Sequence, residues 1–80
     1  MARYTNEFGQ IATVEMVGDD VVIRWDEDGD AFYTVYEKNG RYYKRRTYSD
    51  KHGIRQHNAY RINKKEFDFW SQICEQDKED

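Results

Sequence analysis

Residues 31–48 read AFYTVYEKNGRYYKRRTY, two runs of strand-forming residues on either side of Asn39-Gly40. Tyrosine, phenylalanine, valine and threonine are enriched in strands. The Asn-Gly dipeptide tolerates the positive φ values of a two-residue turn, so it strongly indicates a β-hairpin. A turn of that length places Tyr43 opposite Tyr36. The stretch therefore predicts a tight antiparallel pair of strands.

A second hairpin precedes the first. Residues 10–17, QIATVEMV, alternate as a half-buried strand does, Gly18-Asp19 supplies a turn, and residues 21–25, VVIRW, form the return strand. Pairing about this turn gathers the apolar side chains on one face and the polar ones on the other. If residues 26–30 are the whole connection to the next strand, the apolar face continues through Tyr33 and Val35.

The C-terminal part predicts one more strand and a helix. Residues 54–62 favour a fifth strand with Ile54, Tyr60 and Ile62 on one side. Asn63 resembles a helix N-cap, and Glu66 three residues later would complete a capping box. An apolar stripe follows at helical spacing and consists of Phe67, Trp70 and Cys74, flanked by Phe69 and Ile73.

These elements predict a single small α+β domain over residues 1–80. It is an antiparallel β-meander of four or five strands within about 10–62, with one C-terminal helix, about 64–76, packed on one face. The acidic tail, 77–80, is expected to be frayed. A strongly curled, SH3-like barrel with a helical tail is the alternative.

Composition bears on the compartment and on covalent stabilisation. The chain has 80 residues and a single cysteine, Cys74, so no disulfide forms within it. No apolar run is long enough to span a bilayer, and the N-terminus does not resemble a secretory signal. A lone thiol is typical of a reducing environment. We therefore expect a soluble cytoplasmic protein that does not bind membranes.

Charge is segregated along the chain. Residues 1–40 contain nine acidic and three basic side chains, a net charge of −6, and residues 66–80 have a net charge of −5. Residues 41–65 between them contain nine basic side chains and one acid, a net charge of +8. The net charge of −3 hides this arrangement, which predicts separate positive and negative surface regions.

The basic segment is interleaved with aromatic residues, and this pattern is typical of a recognition surface. In the predicted register, rings and cations of strands three and four point away from the apolar face, where they are able to stack on bases or dock an acidic protein surface. The bland interpretation is that the rings form ordinary cross-strand pairs and the charges only solvate the sheet. The predicted partner-binding residues are Phe32, Tyr36, Lys38, Arg41, Tyr43, Arg45 and Arg46.

One detail of this register conflicts with the pattern. It directs Lys44 and Arg46 toward the apolar side of the sheet. Either strand four is an edge strand from which these side chains reach solvent, or a β-bulge exchanges its faces.

The loop between the second and third strands is strongly acidic. It resembles a calcium-binding loop in its alternate aspartates, but Ala31 occupies the place where the sharp turn of such a loop needs glycine. We therefore expect no metal, and predict an acidic patch that mimics phosphates or meets a basic partner. The residues of this patch are Asp26, Glu27, Asp28 and Asp30.

The sequence contains no recognisable catalytic motif. His52 and His57 lack a nearby set of further ligands or a nucleophile, and Cys74, on the apolar stripe of the helix beside Phe67 and Trp70, is expected to be a buried, inert thiol. No glycine loop for phosphates or nucleophile elbow is present. We expect no enzymatic activity and no cofactor.

Two functions fit these features. The first is a non-enzymatic inhibitor or adaptor that engages a protein partner through the tyrosine- and arginine-rich β surface, a kind of protein that viruses and plasmids often encode. The second is single-stranded nucleic-acid binding by the same basic-aromatic face. The net charge of −3 and a pI near 5.3 favour the protein partner, since nucleic-acid-binding domains are usually basic.

Overall fold

The chain folds as an antiparallel β-sheet with one C-terminal helix, in a computed structural model that describes residues 1–78. The predicted α+β class is confirmed. No helix of the described chain is long and apolar enough to cross a membrane. The elements are β1 (Ala2–Thr5), β2 (Ile11–Val17), β3 (Asp20–Trp25), β4 (Phe32–Lys38), β5 (Arg41–Asp50), β6 (Gly53–Gln56), β7 (Tyr60–Ile62) and α1 (Lys64–Lys78).

The sheet is an open meander in which neighbours along the chain pair in the order β1-β2-β3-β4-β5-β6, with β7 also paired to β5. Its seven strands exceed the four or five that the sequence predicts. The SH3-like alternative is wrong because the sheet does not close. A short connection joins each pair of consecutive strands from β1 to β6, so chain order fixes the order in the sheet.

The two predicted hairpins are confirmed in turn and register. Asn39 and Gly40 have φ values of 54° and 78°, as a turn with two positive φ angles requires. Tyr43 lies opposite Tyr36 as predicted, and the other pairs follow from the two turns: Met16 with Val21, Val14 with Ile23, Ala12 with Trp25, Thr34 with Arg45, and Phe32 with Thr47.

Strand β1 has no counterpart in the sequence prediction. It pairs with β2, so Ala2 lies opposite Val14 and Tyr4 lies opposite Ala12 on the apolar face. Ala2 is buried, and the Tyr4 ring makes edge contacts with Trp25, Phe69 and Trp70. The signal in the sequence was four residues of alternation, too short to distinguish from a loop.

The predicted fifth strand is divided by a β-bulge, and its predicted facing is wrong. Thr47 of β5 pairs with Gln56, whereas Lys44 pairs with Tyr60, so three residues, 57–59, oppose two residues of β5. The extra residue exchanges the faces. Ile54 consequently lies on the opposite side of the sheet from Tyr60 and Ile62.

Helix α1 packs against β1, β2 and β5 and completes the core. Trp70 and Cys74 are buried against side chains of the sheet, and Trp70 is only 7% exposed. The helix begins where predicted and continues to Lys78, two residues past the predicted end at about 76. Of the tail predicted to be frayed, residues 79–80 lie outside the described residues. The buried core cluster consists of Ala12, Val14, Val21, Ile23, Val35, Trp70 and Cys74.

The predicted capping box is half correct. The Asn63 Oδ1 accepts a hydrogen bond from the Glu66 backbone N–H at 2.9 Å, which is the N-cap interaction. The Glu66 carboxylate does not return to Asn63. It accepts a hydrogen bond from Lys44 Nζ at 3.1 Å instead, and so ties the helix to the sheet.

Candidate partner-binding face

The face of the sheet opposite α1, called here the open face, gathers six of the seven predicted partner-binding residues. Strand pairing fixes this arrangement, because side chains of directly opposed residues lie on the same side of a sheet. These six residues are Phe32, Tyr36, Lys38, Arg41, Tyr43 and Arg45.

Aromatic rings on the open face are half-buried, so each leaves part of its surface accessible. Tyr36 and Tyr43 stack with ring centroids 5.6 Å apart and planes 25° from parallel. The Arg24 guanidinium lies 5.0 Å from the centroid of Phe32 and also forms an ion pair with Glu15 at 2.8 Å. The rings therefore make cross-strand contacts and also keep part of their surface accessible, while their role in recognition stays a prediction.

Three cations of the β4–β5 hairpin on the open face are not neutralised by carboxylates of the described residues. Lys38, Arg41 and Arg45 form no ion pair with a described carboxylate. Arg45 donates from one terminal nitrogen to Gln56 Oε1 at 3.3 Å, and its Nε is buried without a hydrogen-bond partner. Arg61, opposite Tyr43 on β7, adds a further cation to this side. An uncompensated positive surface attracts carboxylates or phosphates.

Arg46 does not belong to the open face. Its partner is Tyr33, so its side chain lies on the helix side, with the guanidinium 5.5 Å from the Tyr48 ring centroid. Lys44 lies on that side too, and neither predicted explanation accounts for it. Strand β5 is internal, and its pairing with β4 is unbroken.

Lys44 is accommodated by helix α1. Its side chain keeps 17% exposure, its Nζ lies 4.9 Å from the Tyr33 ring centroid, and Glu66 supplies the opposite charge. A half-buried ammonium group is tolerated where it has both a carboxylate and a ring face.

A polar pocket of about 440 Å³ lies on the open face. The pocket is lined by cations, hydrogen-bonding groups, one aromatic ring and one carboxylate, that of Asp20. The lining residues are Asp20, Thr34, Tyr36, Lys38, Arg45 and Gln56.

A second pocket, of about 290 Å³ and mostly apolar, adjoins the first along the same strands. Thr47 of this pocket pairs with Gln56 of the polar pocket, so the two share a border. Its main apolar wall is formed by Phe32 and by Ile54, which is 81% exposed. The lining residues are Asp30, Phe32, Thr47, Tyr48, Ser49 and Ile54.

The acidic patch lies at the other end of β4 from Lys38 and Arg41. Residues Asp26–Asp28 form a 3-10 turn in the loop that leads into β4, whereas Lys38 and Arg41 flank the turn that follows it. Six residues of extended strand separate Phe32 from Lys38, about 20 Å. Only Glu27 of the patch is engaged by a described side chain, accepting a hydrogen bond from Gln10 Nε2 at 3.0 Å. Negative side chains therefore lie near the start of β4, and positive ones near its end.

Chemistry-bearing residues outside the open face are dispersed. Within the described residues, no three side chains of His, Cys, Asp or Glu converge as a metal-binding group. His52 lies in the exposed β5–β6 turn, His57 makes an edge contact with Tyr48, and Cys74 is buried in the core.

Several residues of the open face were not predicted as site residues. Arg24 lies on this side with the other polar side chains of its hairpin, but nothing in the sequence indicates that it covers Phe32. Ile54 and Gln56 reach the face only because the bulge separates them from β7. Strand alternation alone gives the wrong side for Ile54.

Comparison with known proteins found no family model, no curated protein and no solved structure that matches the chain. Any functional assignment therefore depends on the residues described above.

Proposed function

We propose that the chain is a non-enzymatic binding module that engages an acidic surface of a protein partner through its open face. It acts as a small inhibitor or adaptor by covering that surface. One observation carries the proposal: Lys38, Arg41 and Arg45 lie among accessible rings with no carboxylate of the described chain to neutralise them. Tyrosine and arginine are the residues that most often anchor protein interfaces.

The surroundings of these cations favour a protein over a nucleic acid. Asp20 lines the polar pocket and Asp30 lines the apolar one, so a continuous phosphate backbone along the face would meet a carboxylate at each end. The mostly apolar pocket also has no positive charge among its lining residues to pair with a phosphate group. A protein places its acids at discrete positions and brings apolar side chains as well, which suits a face of mixed character.

Affinity capture from the native host tests the proposal with a matched pair of variants. Arg45→Ala removes a cation of the open face, and Arg46→Ala removes its neighbour on the opposite face. We expect the wild type and Arg46→Ala to retain the same host protein after nuclease treatment, and Arg45→Ala and Tyr43→Ala to lose it.

Nucleic-acid binding is the competing outcome. A labelled single-stranded oligonucleotide, titrated at low and moderate salt, would bind with a steep salt dependence if phosphates were the ligand. Retention of nucleic acid alone, or equal loss of the captured protein in Arg45→Ala and Arg46→Ala, would contradict the proposal.

A further inference from the structure

The two pockets of the open face form one continuous track over β4, β5 and β6. The polar pocket contains Thr34, Arg45 and Gln56, and the apolar pocket contains Phe32, Thr47 and Ile54. Gln56 Nε2 donates a weak hydrogen bond to Thr47 Oγ1 at 3.5 Å across the border. A ligand lying along β4 would therefore contact both pockets in succession.

The chemistry changes along this track. One end offers the Phe32 ring and the Ile54 side chain, which is exposed to water and gains from being covered. The polar pocket offers first Arg45, whose buried Nε lacks an acceptor, and then Lys38 at the far end of β4. A carboxylate beside the guanidinium supplies the acceptors that the described chain does not.

Resting on the proposed function, we infer that this track binds an extended acidic peptide segment of the partner, with an apolar side chain in the Phe32–Ile54 pocket and carboxylates at Arg45 and Lys38. Charge complementarity selects the occupant. The apolar pocket excludes a purely polyanionic ligand, and the cations exclude a purely apolar one.

Strand geometry sets the spacing within that segment. Arg45 is opposite Thr34, two residues along β4 from Phe32, and Lys38 is six residues from Phe32. At the rise of an extended chain these separations are about 7 Å and about 20 Å. The acids of the bound segment therefore lie two to six positions from its apolar residue.

A random twelve-residue peptide library displayed on phage, selected against the immobilised full chain, tests the inference. We expect enriched peptides to share an apolar residue with acids two to six positions away. A fluorescein-labelled copy of the most enriched peptide is then titrated by anisotropy. Arg45→Glu and Ile54→Asp should each weaken its binding by about tenfold or more.

Two matched controls separate the track from a general effect of charge or folding. Arg46→Glu makes the same change on the opposite face, and Tyr60→Ala removes an exposed ring from the other side of the sheet; each should change affinity by less than about twofold. Arg45→Gln, which keeps the length of the side chain, serves if Arg45→Glu fails to fold by circular dichroism.

Three results would overturn the inference. They are the absence of enrichment, enriched peptides without the acid–apolar spacing, and equal weakening by Arg45→Glu and Arg46→Glu. A labelled twelve-nucleotide oligothymidylate that binds more tightly than the peptide would overturn it in favour of nucleic acid. If capture succeeds while the library fails, the open face binds a protein by another chemistry, so the proposed function stands and only the peptide track falls.

Discussion

Lys44 shows how one charged residue is placed on the apolar side of a central strand. Its stem packs beside Tyr33, and its ammonium group meets Glu66 at 3.1 Å, with the two side chains 17% and 37% exposed. The pair is only partly shielded from water, so its net contribution to stability is modest. Its more specific effect is to fix where the first turn of α1 lies on the sheet.

We expect Lys44→Ala to lower the free energy of unfolding by about 1–2 kcal/mol, through lost packing, lost ring contact and the lost ion pair. Urea denaturation measures the change. A double-mutant cycle with Glu66→Gln should give a coupling of about 0.5–1 kcal/mol. Lys51→Ala, in the exposed β5–β6 turn, is the control and should be neutral. Zero coupling would show that the contact contributes nothing.

At the scale of elements, turn chemistry decided what was predictable. Asn39-Gly40 and Gly18-Asp19 determine two hairpins locally, and a two-residue turn leaves one register, so the six residues of the open face followed from the sequence. The bulge at 57–59 was not predictable in this way. It is decided by how β5 pairs with residues far along the chain, and no glycine or proline marks it.

Helix docking depends on Trp70, which is buried against the Tyr4 and Trp25 rings. Trp70→Ala should lower the free energy of unfolding by about 3–5 kcal/mol, enough to unfold much of so small a domain. Trp70→Phe should cost clearly less, because the indole N–H is buried without a hydrogen-bond partner among the described residues. Thermal unfolding followed at 222 nm measures both.

An undocked α1 would expose its apolar stripe and could itself bind a partner as a helix in a groove. Burial of Trp70 and Cys74 against the sheet contradicts it. Unchanged thermal stability in Trp70→Ala would contradict the docked arrangement in turn. Phe69→Ala is a suitable comparison. Because Phe69 is 43% exposed, this substitution should lower the free energy of unfolding by less than Trp70→Ala does.

The start of α1 gives a second test at this scale. Asn63→Ala removes the acceptor for the Glu66 backbone N–H and should lower the free energy of unfolding by about 1 kcal/mol. Asn63→Asp keeps an acceptor and places a negative charge at the N-terminus of the helix, so it should be neutral or stabilising. A loss in Asn63→Asp as large as in Asn63→Ala would show that the cap is not what stabilises this end.

Burial from solvent differs between the strands of the sheet. The fully buried side chains of Val14, Val21, Ile23 and Val35 lie in the middle of the sheet, whereas every residue of β6 is exposed. Local opening takes least free energy where little apolar surface is buried. The apolar end of the peptide track is therefore built partly from the least protected strand.

Amide hydrogen exchange followed by NMR should resolve this gradient. We expect the amides of residues 21–23 to exchange only through global unfolding, and those of residues 53–56 to exchange through local opening, at least about a hundredfold faster. Binding of the selected peptide should slow the amide exchange of residues 53–56 more than that of the other strands. Uniform exchange rates across the sheet would contradict the gradient.

The bulge at 57–59 has a consequence for molecules that meet at their strand edges. A strand from a neighbouring copy that tried to continue the ladder beyond β6 would fall out of step with β7 after four residues. Edge-to-edge growth into fibrils needs a long, regular row of unpaired amides and carbonyls. The interruption limits the length of ladder that a neighbouring strand could form along the β6–β7 border.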